Sequence, residues 1–95
     1  MRKLNRLSYP KCVFVDSNGN LFIADTENHR IQKWTPGASQ GVTVAGGNGQ
    51  GSATDQLSRP TGVHVDSNGN IFIADGINHR IQKWTPGAIQ GITVI

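Results

Sequence analysis

Residues 16–38 read "DSNGNLFIADTENHRIQKWTPGA", and fifty positions later residues 66–88 read "DSNGNIFIADGINHRIQKWTPGA". Aligned at that offset, residues 7–45 and 57–95 differ at ten of thirty-nine positions. A repeat this close marks one supersecondary unit used twice, each copy stacking on its neighbour because it cannot bury its apolar face alone. Inside a copy, "CVFV" (12–15) and "LFIAD" (21–25) are short runs of Val, Ile, Phe and Leu separated by "DSNGN". That is the pattern of a β-hairpin. Asn18-Gly19, and Asn68-Gly69 in the second copy, tolerate the positive φ of a two-residue primed turn, with Asp16 capping it through its side chain.

Both runs lack apolar and polar alternation, which predicts strands buried on both faces. After "TENH" (26–29) comes the half-polar strand "RIQKW" (30–34), suited to a place further from the centre. Pro36-Gly37 fits the central pair of a type II turn, and "GVTV" (41–44) reads as a fourth strand. Four antiparallel strands per copy follow. The glycine-rich stretch 46–60 reads as a flexible connection anchored by Leu57, with Leu7 at the equivalent point before the first copy. The expected organisation is a lead-in over 1–8, a blade over 9–46, a connection over 47–58 and a second blade over 59–95.

Four strands in a period of forty to fifty residues is the arithmetic of a β-propeller blade. The strings "GNLFIADTENHRIQKW" and "GNIFIADGINHRIQKW" resemble the NHL repeat in their strand-ending Ala-Asp, their Asn-His-Arg and their hydrophobic-Gln-Lys-aromatic strand. The lead-in "SRPTGVHVD" matches the family's Pro-x-Gly-hydrophobic-x-Val-Asp, whereas "SYPKCVFVD" carries Cys12 where Gly62 stands. The resemblance implies an all-β fold of two four-stranded antiparallel blades, completed to a ring of commonly six blades by oligomerisation or by a longer chain. It implies no single activity, since such propellers serve as protein-binding platforms, RNA-binding surfaces or amidating lyases.

Composition narrows this little. The 95 residues include twelve glycines and few charges, a turn-rich makeup for a modest core. The formal net charge of +3 draws on Arg2, Lys3, Arg6 and Lys11, which face no acid nearby in sequence, while the repeated body is nearly neutral. A solvated basic end is the simple reading. Cys12 is the sole cysteine, which excludes an intrachain disulfide and a CxxC metal knuckle. No run approaches eighteen apolar residues, and no apolar h-region follows the basic start. The compartment stays open.

Asp25 and Arg30 flank the four-residue loop across the hairpin, as do Asp75 and Arg80, and are expected to clamp it as ion pairs without doing chemistry. Asn28-His29 and Asn78-His79 recur as blade-building loop residues, Asn taking left-handed backbone and His bonding the backbone. As ligand-face candidates the same side offers His29, Arg59 and His79. Asp16, Asn18 and Asn20 imitate a calcium loop, but Leu21 stands where the EF-hand needs Gly and Ile77 where its second copy needs Glu. Trp34 and Trp84 are expected to cover the blade's outer edge. His64, on an inner strand, has no second-shell partner in view for zinc. No nucleophile elbow, HExxH helix or P-loop is present, and no catalytic residue, metal or cofactor is assigned.

The expected function is a non-enzymatic, self-assembling scaffold or interaction module that binds protein or small ligands. RNA binding through Arg30, Arg59, Arg80, His29 and His79 is the rival reading, weakened by Asp25, Glu27, Asp55 and Asp75 on the same side. A fragment of a lyase-type propeller is the third. Two blades leave two blade faces open, about 600 Å² together, and burying them offers on the order of 10 kcal/mol before association entropy is subtracted. Head-to-tail contacts must close or grow without limit. The expected partner is a copy of the chain itself, as a homotrimer of six blades.

Overall fold

The computed structural model describes residues 6–95, so Arg2 and Lys3 of the basic lead-in lie outside the described residues. Among the described residues, eight strands form two separate antiparallel sheets, each in plain sequence order. The first sheet contains β1 (Pro10–Val15), β2 (Leu21–Asp25), β3 (Arg30–Trp34) and β4 (Val42–Gly46). The second contains β5 (Pro60–Val65), β6 (Ile71–Asp75), β7 (Arg80–Trp84) and β8 (Ile92–Thr93), and the backbone bonds of Ile81 with Val94 and Ile95 prolong its last strand pair. Each sheet is one blade, and β1 and β2 both lie against β5.

The hairpin turn between β1 and β2 is longer than the two-residue primed turn expected of Asn18-Gly19. The Gly19 amide bonds Asp16 O at 3.1 Å, the Asp16 amide bonds Asn20 O at 3.0 Å, and Gly19 alone takes positive φ, at 83°. This is a three-residue loop closed by a left-handed glycine. The reason is Asp16: one carboxylate oxygen accepts the amides of Asn18 and Asn20, and the other accepts the Asn20 side chain, which holds the preceding residues in a tight non-primed turn. Asn68 and Gly69 behave identically around Asp66. The Pro36-Gly37 turn is of type II, with the Ala38 amide bonded to Thr35 O and Gly37 at a φ of 79°.

Between β2 and β3 the chain makes one 3-10 turn, Thr26–Asn28. The left-handed residue is His29 and not Asn28, and the same holds for His79 beside Asn78. The fourth strand begins at Val42, one residue later than expected, and runs on to Gly46. The connection over 46–60 is no flexible tether. Asn48 and Gln56 bond across it, Gln50 bridges to Leu57, and Arg80 donates to the carbonyls of Ser52, Ala53 and Gln56. Leu57 is fully buried.

Inner strands buried on both faces were expected; β2 is so buried from Phe22 to Asp25, whereas β1 leaves Val13 and Val15 exposed on one face. Side chains alternate along a strand, so each blade has two faces. One presents Cys12, Phe14, Phe22, Ala24 and Ile31, the other Val13, Val15, Leu21 and Ile23. The core forms where the first face of blade one meets Val63, Val65, Ile71, Ile73 and Trp84 of blade two. Trp84 therefore fills the junction between blades and does not cover an outer edge. Gly91 lies against it, since a Cβ there would fall 2.4 Å from the indole nitrogen.

Candidate functional site

Three arrangements of polar side chains stand out, and each begins at a strand end. The first is the clamp. Asp25 closes β2 and is wholly buried; its Oδ2 accepts from Arg30 Nε at 2.7 Å and from Asn28 Nδ2 at 2.9 Å, while its Oδ1 accepts the Ser8 amide at 2.7 Å. Asp75 repeats this with Arg80 at 2.8 Å, Asn78 at 2.9 Å and the Ser58 amide at 2.7 Å. One carboxylate thus gathers the lead-in, the loop and the next strand, and Arg30, nine-tenths or more buried, reaches on to Arg6 O. Acceptors saturated in this way hold backbone in place.

The second arrangement is the blade junction at the loop side. His29 is buried, and its Nδ1 accepts the Arg59 amide at 2.9 Å. Glu27 forms an ion pair with Arg59 Nη1. The Thr26 hydroxyl donates to Pro60 O at 2.7 Å, and Phe14 meets His64 edge-on at 4.7 Å between ring centres. Of the three ligand-face candidates, His29 and Arg59 are thereby drawn into the seam between blades, and only His79, on the second blade, remains exposed. The physical reason is that blade one has a neighbour on that face and blade two has none.

The third arrangement lies on the opposite side, where no ligand face was expected. A cleft of about 830 Å³ opens between the two aspartate turns, lined among others by Asp16, Asn20, Lys33, Asp66 and Asn68. Lys33 sits 5.7 Å from the centre of the Phe22 ring, its register partner on β2. Alternation along β3 was the only available signal for Lys33, and nothing in the chain order points from one turn to the other. Among the described residues, no group of three or more His, Cys, Asp or Glu is placed to hold a metal ion.

The Asn20 side-chain bond, followed by its backbone bond, holds the Asp16 carboxyl below its ordinary value of 3.8, and Asn70 does the same for Asp66. A carboxyl whose value is depressed on folding stabilises fully above the unfolded value and loses that contribution as pH falls through the lower folded one. The turns are accordingly expected to stay intact down to about pH 3.8 and to loosen only in stronger acid. Carboxyl carbon shifts of Asp16 and Asp66 followed by NMR check this, and midpoints at or above the ordinary value contradict it.

The family model of the NHL repeat matches residues 7–34 and again residues 57–84, together more than half of the chain. The chain belongs to the NHL-repeat family. Comparison with curated proteins returns no match. Each NHL match opens at the leucine of the lead-in and ends with the tryptophan that closes the third strand, so it includes the clamp, the loop and the aspartate turn. The fourth strands and the connection lie outside it. Each NHL repeat supplies the first three strands of one four-stranded sheet, and such repeats suggest a propeller interaction module.

Proposed function

We propose that this NHL chain is a non-enzymatic propeller-building module, which docks head-to-tail on copies of itself and so presents a ring to its binding partners. One observation supports the reading above all others: equivalent positions are buried in one copy and open in the other. Val63 and Val65 are 8% and 7% exposed at the junction, whereas Val13 and Val15 are each 56% exposed on the free back of blade one. Leu57 is 0% exposed and Leu7 36%. On the other side Ala45 is 2% exposed and its equivalent Ile95 is 83%. The free front of blade two and the free back of blade one are thus copies of two surfaces that already fit each other inside the chain.

Apolar sheet faces of this kind bind partners or aggregate. A second chain supplies a partner of matching shape, because its blade one repeats the pattern of the blade two that covers this chain's blade one. The contact is heterologous, and it closes when the blades complete a circle. With six blades, the number common in such rings, three chains suffice. The rival RNA reading loses its cations, since Arg30 and Arg80 lie against carboxylates and Arg59 against Glu27. Light scattering on the purified chain is expected to give about three times its 10.2 kDa mass. A well-folded, stable monomer would refute the assembly.

A further inference from the structure

The ten differences between the copies are concentrated where blades meet. Glu27, Arg59, Thr26, Phe14 and His64 all take part in the internal junction, and their equivalents are Ile77, Tyr9, Gly76, His64 and Phe14. At its loop side the internal seam is polar: the Glu27 carboxylate reaches the Arg59 guanidinium and the Thr26 hydroxyl reaches Pro60 O. On the free faces, Ile77 stands for Glu27 and Tyr9 for Arg59, at 54% and 70% exposure, and Gly76 has no hydroxyl to offer.

The backbone that would bring them together is the same in both copies. Tyr9 takes a φ of 54° and Arg59 one of 50°; His79 takes 51° and His29 53°. Ser8 O accepts the Glu27 amide and Ser58 O the Ile77 amide, each at 3.1 Å. A left-handed backbone is uncommon for Tyr and Arg, and both copies adopt it at this position. At the internal seam the Arg59 amide points at His29 Nδ1.

We infer that the free front of blade two receives Tyr9 of a second copy of this chain, the Tyr9 amide donating to His79 Nδ1 and the phenol ring covering Ile77. This rests on the assembly reading and adds its chemistry: at the loop side of the shared apolar seam, the contact within a chain is an ion pair and the contact between chains an aromatic ring on an aliphatic side chain. The difference has a consequence for pairing. A Glu27 face offered to Tyr9, or an Ile77 face offered to Arg59, leaves a charge without its counter-charge against an apolar group, which disfavours the wrong register between copies. The same contrast makes the seam between chains insensitive to salt, since screening weakens exposed ion pairs and leaves apolar burial intact.

The test exchanges the two chemistries. Ile77→Glu and Tyr9→Arg, made singly, are each expected to weaken assembly of the chain by on the order of tenfold in dissociation constant. Combined in one chain, they recreate the Glu–Arg pair between copies and are expected to restore assembly, now weakening from 0.15 M to 1 M salt where the parent chain does not. Light scattering across a dilution series reads the mass, and circular dichroism confirms that the exposed substitutions leave the sheets intact. If the parent assembles and the single variants assemble equally well, or the double variant is no better than they are, the Tyr9–Ile77 seam is wrong while the assembly stands. If the parent chain is a monomer at every concentration, both fall.

Discussion

Asp25→Ala is expected to lower stability by about 3–5 kcal/mol, the cost of removing one partner from a buried ion pair. The site explains why the effect belongs at the upper end of what single substitutions do. Asp25 has no exposed surface, Arg30 is 2% exposed, and the carboxylate also accepts from Asn28 and from the Ser8 amide. Removing it strips a guanidinium of its counter-charge in a site water does not reach, and unties the lead-in from the end of β2. For a domain of this size the melting temperature is expected to fall by roughly 15 °C or more. Arg80→Ala in the second copy is milder in burial, with 14% exposure, but it also frees the carbonyls of Ser52, Ala53 and Gln56 that hold the connection. Thermal unfolding by circular dichroism measures both. An unchanged melting temperature accompanied by loss of a ligand-binding signal would reassign the pair from clamp to site.

A carboxylate placed at the same position of the two copies is expected to give two different phenotypes. Val63→Asp puts the charge among the buried apolar side chains of the closed seam between blades, and should unfold the chain or lower its melting temperature at every concentration. Val13→Asp puts it on the open back of blade one, where water solvates it in the single chain. That variant should keep its sheet signature, remain a monomer by light scattering, and melt at a temperature independent of protein concentration. The parent chain should melt higher as concentration rises, because association favours the folded form by mass action. Equal behaviour of the two variants would mean that the open face is never covered by another chain.

Local structure was legible because it depends on near neighbours. The apolar runs and turn residues of 16–38 and 66–88 dictate strands, hairpins and a type II turn, and Asp25 stands opposite Arg30 because four residues separate them across a turn. The resemblance to the NHL repeat followed from the same stretch. The turn type was missed because Asp16 folds back on three groups of the next four residues, and that competition is absent from a rule about Asn-Gly pairs.

What a residue meets across the seam was beyond reach of the chain order. Glu27 and Arg59 are 32 positions apart, His29 and the Arg59 amide 30, and no periodicity links them. Identical strings even acquire different surroundings: "NHRIQKW" is buried at His29 and Ile31 and opened at His79 and Ile81, since only the first copy has a blade packed on its front. The repeated sequence by itself determined each blade. The stacking of one blade on the other decided which of two equivalent faces is core and which is surface, because burial is a property of the neighbour and not of the residue.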